Sequence, residues 1–227
     1  MLSYDWNFDR IWHFSDAFVA GIGQTLLLSI ATIAFATVLG VGWGVLLARG
    51  GPFATITRPI SYVLRGLPPL VLVLFGYFLY TQDVIGFTMD AFGVFVFSVG
   101  FNIAAFIADV TRSAVSNTPT EYLELGRAMG LSERAILRRI VAPVAFREMV
   151  APLSYLYVET IKVTSLASVI SVRETVYIAQ SVITDSSRSL EVWVVVAAIY
   201  CVLVLPLMAV ARLLERRAKI SVGLAIA

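Results

Sequence analysis

The sequence predicts an all-α integral membrane protein with about five transmembrane helices and a cytoplasmic helix–turn–helix element. Three observations carry this. Hydrophobic residues make up 59% of the 227 residues and charged residues only 14%, with a mean hydropathy of +0.87; a soluble domain has roughly a quarter of its residues charged. The apolar residues fall into runs approaching or exceeding the roughly 20 residues that cross a bilayer. The basic residues gather at the ends of those runs, where charge sets topology.

The first run extends from Ala17 to Ala48 and closes on Arg49-Gly50-Gly51-Pro52. It is long enough to tilt or project. Gly40 and Gly44 form a GxxxG pair that suits close helix packing. A basic linker with Arg49, Arg58 and Arg65 leads to a second run, Leu67 to Thr81, opened by Pro68 and Pro69 where proline is tolerated. An acidic loop with Asp83 and Asp90 precedes the third run, Ala91 to Val110. The fourth covers Met149 to Val172, interrupted by Glu159, Lys162, Thr164 and Ser165, and the fifth Leu190 to Leu214. Basic stretches at 49–65, 111–148 and the C-terminal tail are expected in the cytoplasm, and the N-terminus outside.

The N-terminal stretch has no basic n-region, which argues against a cleaved signal peptide. Its Trp6, Phe8, Ile11, Trp12 and Phe14 lie among charges. They predict a helix lying at the outer membrane surface, with a disordered tail as the alternative. A net charge of +2 and the lack of a compact basic patch give no sign of nucleic-acid binding. Lone Cys201 cannot form an internal disulfide, and His13 stands alone, so no metal site is expected. No Ser–His–acid set and no G-x-x-x-x-G-K-[ST] phosphate loop occurs. A membrane-embedded enzyme would need a catalytic constellation, and none is visible.

Between the third and fourth runs lies Glu121 to Pro143. Thr120 is the expected N-cap of a first helix, with Glu121 in its first turn. Gly130 suits a left-handed helix stop. Ser132 can cap a second helix, which Pro143 is expected to limit. Leu125, Met129 and Leu131 are apolar on this hairpin, while Arg127, Arg134, Arg138 and Arg139 are basic. A solvated loop carrying topology charges would not need caps and a turn, so a docking element for a soluble partner fits better. Recruitment without transport, as by a membrane adaptor, remains an alternative.

This stretch resembles the EAA loop of ABC importer permeases: E-A-A, three residues, G, nine residues, I, one residue, L-P. Glu124-Leu125-Gly126, Gly130, Ile140, Ala142 and Pro143 stand at matching intervals, with two departures in the first triplet and Ala142 for leucine. Arg65-Gly-Leu-Pro-Pro-Leu-Val71 resembles the R-G-T-P-L-L-V segment of polar amino-acid permeases, with Leu67 for threonine. Ala105 to Arg112 is similar to their A-Y-I-A-E-I-V-R, and Lys162 to Ile170 to their K-D-T-S-L-A-S-V-I.

The resemblance implies a type-1 ABC transmembrane domain over 17–215, after a periplasmic segment 1–16 and before a cytoplasmic tail 216–227. It implies an importer for polar amino acids or their derivatives, with opines or ectoine-like compatible solutes as alternatives. Glu124, Gly126, Ala128, Met129, Gly130, Leu131, Ser132 and Pro143 would couple the hairpin to two separate ATPase subunits. Those partners would hold ATP and Mg; this chain would bind no cofactor. A second permease, a different chain before a second copy, would complete the path, and a periplasmic or lipid-anchored solute-binding protein would deliver the solute. The setting would be the bacterial inner membrane and its lipids.

Ionisable groups inside a bilayer need partners or a purpose. Glu159 and Lys162, three apart on one helix face, would brace two helices or line a solute path. Asn102, Thr164, Ser165 and Ser168 are further path candidates, although membrane hydroxyls often bond to their own backbone. Asp109 and Arg112 are expected to form a boundary ion pair.

Overall fold

The structure is a computed structural model that describes residues 4–80, 84 and 86–223, with side chains through Glu215. Asp83 and the ends 1–3 and 224–227 lie outside the described residues. The helices are α1 (Asp9–Trp12), α2 (Ser15–Arg49), α3 (Pro52–Gly66), α4 (Pro69–Leu79), α5 (Ala91–Ser116), α6 (Thr120–Ala128), α7 (Glu133–Ile136), α8 (Ala142–Val163), α9 (Thr175–Ser186) and α10 (Ser189–Gly223). A π-turn over Leu137–Val141 joins α7 to α8, and a 3₁₀ stretch, Thr164–Ile170, follows α8. No strand occurs among the described residues. Three helices, Ser15–Arg49, Ala91–Ser116 and Ser189–Glu215, are each long and apolar enough to cross a membrane. Two bent pairs, α3 with α4 and Glu133–Ile170 with α9, raise the number to five if each pair is one span.

Four expectations change. The basic linker is the helix α3, amphipathic enough to bury Ala54 and Ser61 while exposing Phe53, Ile56 and Ile60. It breaks at Leu67–Pro68, because Pro68 disfavours helix at the residue before it. The fourth run does not continue straight to Val172. Hydroxyls of Thr164, Ser165 and Ser168 donate to the carbonyls three residues back, of Ile161, Lys162 and Ser165, and the backbone tightens to 3₁₀. Left-handed Ser171 (φ 65°) then turns the chain into α9 with a 51° bend. The surface helix expected near the N-terminus is only the four residues of α1, and Ser15 already begins α2. The last helix runs to Gly223, past the expected start of the tail.

The chain divides into two compact units. The first comprises Met1–Ile33, Pro68–Gly100 and Val158–Leu207. Its core brings Ile11 and Phe18 against Ile178, Ala179 and Val182 of α9 and Val192 and Val196 of α10. Two polar contacts lie within this unit. The Thr25 and Thr175 hydroxyls lie 2.8 Å apart, and fully buried Glu174 caps α9 by accepting from the Tyr177 backbone N–H at 2.9 Å.

The second unit comprises Ala34–Leu67, Phe101–Tyr157 and Met208–Ala227. Here Gly40 and Gly44 do what the GxxxG spacing suggests. A Cβ at Gly40 would stand 2.7 Å from the Ala104 carbonyl oxygen, and one at Gly44 2.5 Å from that of Ala108. The backbones of α2 and α5 therefore touch where only glycine fits. Ala114, Ala145 and Met149 form a second cluster with Val41, Val110 and Leu153, which packs α8 against α2 and α5.

Candidate functional site

The hairpin is built from its ends inward. Pro119, not Thr120, occupies the N-cap position; Thr120 is the first helical residue and Glu121 sits in the first turn. The proline ring carries no hydrogen-bond acceptor, so no side-chain cap forms. The helix stop falls on Gly130, at φ +74°. Leu131 N–H donates to the Gly126 carbonyl at 3.0 Å and Gly130 N–H to that of Arg127 at 2.9 Å. These two bonds define a Schellman termination, which needs a left-handed residue at this point. Ser132 then caps α7, its Oγ accepting from Ala135 N–H at 3.3 Å.

Pro143 does not end the second helix. The π-turn over Leu137–Val141 precedes it, and Ala142 N–H bonds back to Leu137. The wider π-turn relieves the clash between a proline ring and the carbonyl four residues earlier, so α8 runs on through Pro143.

The two arms meet at Gly126, the one buried residue of α6, where a Cβ would come within 3.0 Å of side-chain carbons of Ile136 and Ile140. Glu124, Ala128, Met129, Gly130, Ser132 and Pro143 are exposed, and Leu131 is half-buried. Leu125 and Met129 keep 60% and 68% of their surface open, so the turn presents an apolar tip. Arg127 pairs with Glu133 at 2.8 Å across the turn. Arg49, Arg127 and Arg134 line an open cleft of about 740 Å³ beside it.

The path candidates separate into two kinds. Glu159 and Lys162 form an ion pair with substantial exposure. Lys162 and Ser165 line a mostly apolar groove of about 340 Å³ with Tyr200, Cys201, Val204 and Leu205. Thr164 is fully buried, with its hydroxyl committed to the Ile161 carbonyl at 2.7 Å. Asn102 is buried and its amide donates to the Leu64 carbonyl at 2.6 Å. Asp109 does pair with Arg112 at 3.0 Å, and Arg65 joins it at 2.7 Å.

Two fully buried carboxylates, Glu174 and Glu191, were not singled out by sequence reasoning. Each flanks an apolar or semi-polar segment and reads there as a boundary charge. A glutamate one residue before Thr175, or two residues into a new helix, is also a capping signal, and that clue was available. Among the described residues no group of three or more His, Cys, Asp or Glu is placed to hold a metal ion.

By class this is an all-α integral membrane protein that carries a capped hairpin. Residues 36–220 match the family of binding-protein-dependent transport system inner membrane components, and the chain belongs to that family. The glutamine transport system permease protein GlnP of Escherichia coli (strain K12) is 34% identical over 220 residues, covering 96% of this chain and all of the relative. The octopine transport system permease protein OccM of Rhizobium radiobacter is 30% identical, covering 85% of this chain and 82% of the relative. Among solved structures, an amino acid ABC transporter crystallised with histidines superimposes with a TM-score of 0.85 at 23% identity, covering 94% of this chain and all of that one. The MetNI methionine transporter, inward facing, gives 0.76 at 19% identity, covering 94% and 99%. At these identities the solved structures establish the fold.

The chain is therefore a permease subunit of the bacterial inner membrane rather than an enzyme. Its family implies ATPase subunits, on separate chains, and a solute-binding protein as partners.

Proposed function

We propose that this chain forms half of the translocation path of an ATP-driven importer for amino acids, polar ones first. The observation that carries this is the end-to-end similarity to a glutamine permease. The N-terminus faces the periplasm and the C-terminus the cytoplasm, in keeping with the basic 49–65 and 111–148 stretches. Two ATPase subunits seat the hairpin. Glu124, Ala128, Met129, Gly130, Leu131, Ser132 and Pro143 form the surface they push, and Gly126 holds its arms together. Five spans enclose no path alone, so a second permease, a different chain in this reading, completes it. ATP and Mg remain on the ATPases.

Of the path candidates we assign Lys162 and Ser165, with Glu159 beside them, to the solute. A lysine and a glutamate side by side complement the carboxylate and ammonium of a zwitterion. Asn102 and Thr164 are assigned to bracing the helices. The octopine relative favours a second reading, in which the solute is an opine; both classes carry the same amino-acid head. Titrating the partner solute-binding protein with amino acids and opines, then measuring uptake of the tightest ligand into vesicles holding the whole transporter, tests both. Tight binding only of solutes without an amino-acid head would sink the proposal.

A further inference from the structure

Glu191 is fully buried in the first turn of α10. A carboxylate cannot stay there without donors, and three reach it. The Tyr4 hydroxyl donates at 2.5 Å, the Asn7 backbone N–H at 3.1 Å and the Arg188 guanidinium at 3.3 Å. The same Arg188 nitrogen donates to the Asp5 carbonyl at 2.7 Å. Two of the three donors belong to residues 4–8, a stretch without regular secondary structure. The bond to Glu191 also holds the Tyr4 phenol above its ordinary pKa, so it stays a donor. The stretch is clasped to the start of α10.

The clasp leaves a row of rings outward. The sequence alternates Tyr4, Asp5, Trp6, Asn7, Phe8. Tyr4 meets Trp6 edge-on at 5.1 Å, and Trp6 stacks on Phe8 at 5.7 Å. All three rings are exposed, and Trp12 keeps 80% of its surface open. This row sits where two spanning helices, α2 at Ser15 and α10 at Ser189, both begin. Trp193, one turn into α10, is exposed as well. The polar-edged rings of Tyr4, Trp6, Trp12 and Trp193, at the mouth of apolar helices and beside Asp9, Arg10 and Asp16, match the headgroup–acyl boundary, where tyrosine and tryptophan concentrate.

We infer that residues 4–12 form an aromatic strap, clasped by Glu191 and Arg188, that docks into the lipid headgroup layer at the membrane face where α2 and α10 begin. The strap sets the depth of those two helices and needs neither solute nor ATPase.

The test uses the full chain with Trp43→Phe and Trp193→Phe, which leaves Trp6 and Trp12 as its indoles, reconstituted in lipid nanodiscs. Phospholipids brominated near the carbonyl end of the acyl chain should quench the fluorescence more than aqueous iodide does. Adding Tyr4→Phe, or separately Glu191→Gln, should shift the balance towards iodide by about twofold or more, as expected from losing one hydrogen bond to a charged group. Tyr4→Phe keeps the ring and the buried carboxylate, so it reports even if Glu191→Gln fails to fold. Stronger quenching by iodide than by any brominated lipid would overturn the proposal. So would shielding that appears only on adding the solute-binding protein, which would make the row a protein contact. Quenching unchanged by Tyr4→Phe would show that the clasp does not hold the strap.

Discussion

The Leu64 carbonyl, whose helical partner would be the nitrogen of Pro68, accepts instead from the Asn102 side-chain amide at 2.6 Å. Proline has no N–H to give, and a bare carbonyl in an apolar interior is costly. Asn102 thus allows α3 to end at Gly66 while held against α5. Asn102→Leu should lower the stability of the purified chain by about 1–3 kcal/mol, read as a fall in melting temperature in detergent. The KM for uptake should stay within about twofold. A large rise in KM without loss of stability would return Asn102 to the solute path.

Gly130 carries the hairpin turn. At φ +74° a β-branched residue is strained by about 1–2 kcal/mol, and Asn tolerates the region better. Gly130→Val should cut ATP-driven uptake by roughly tenfold or more, as that strain implies, whereas Gly130→Asn should retain most of it. Nothing lies within 4 Å of a Cβ there, so crowding does not confound the comparison.

Gly40 and Gly44 make a steric prediction with internal controls. Gly40→Leu or Gly44→Leu forces the α2 and α5 backbones apart, at a cost of about 1–3 kcal/mol or more, and should reduce the folded yield in membranes. Gly23→Ala and Gly42→Ala meet no atom within 4 Å and should leave the yield unchanged. Size-exclusion profiles of the solubilised variants check both.

For the solute groove, Lys162→Met should raise the KM for uptake by about tenfold or more, the loss of a charge-assisted bond. Thr164→Val, whose hydroxyl is spent on the Ile161 carbonyl, should move it by less than about twofold. Equal effects from the two would refute the assignment.

Much of this was readable beforehand, for identifiable reasons. Apolar runs reveal spanning helices because lipid forces whole segments to be apolar, hence α2, α5 and α10. The turn at Gly130 and the cap at Ser132 are local chemistry, legible from a few neighbours. What escaped depends on contacts far along the chain. Helix α9 carries Gln180, Thr184 and Asp185 and so lacks a membrane signature. The Thr25–Thr175 pair that packs it joins residues 150 apart in sequence. Pro143 misled because a proline reads as a stop, while the π-turn that accommodates it leaves no mark in composition. Asn102 read as a path candidate because its acceptor, orphaned by Pro68, lies 38 residues away.

Under the proposed function, ATP hydrolysed on partner subunits drives solute through this chain by way of the 121–143 hairpin. The direct measurement is uptake of the binding protein's solute into vesicles carrying the whole transporter, with ATP inside, for the native chain and for Gly130→Pro. Proline cannot adopt a positive φ, so the expected result is ATP-dependent accumulation by the native transporter and its loss in the variant, with permease still in the membrane. Undiminished accumulation in a correctly inserted Gly130→Pro transporter would contradict it.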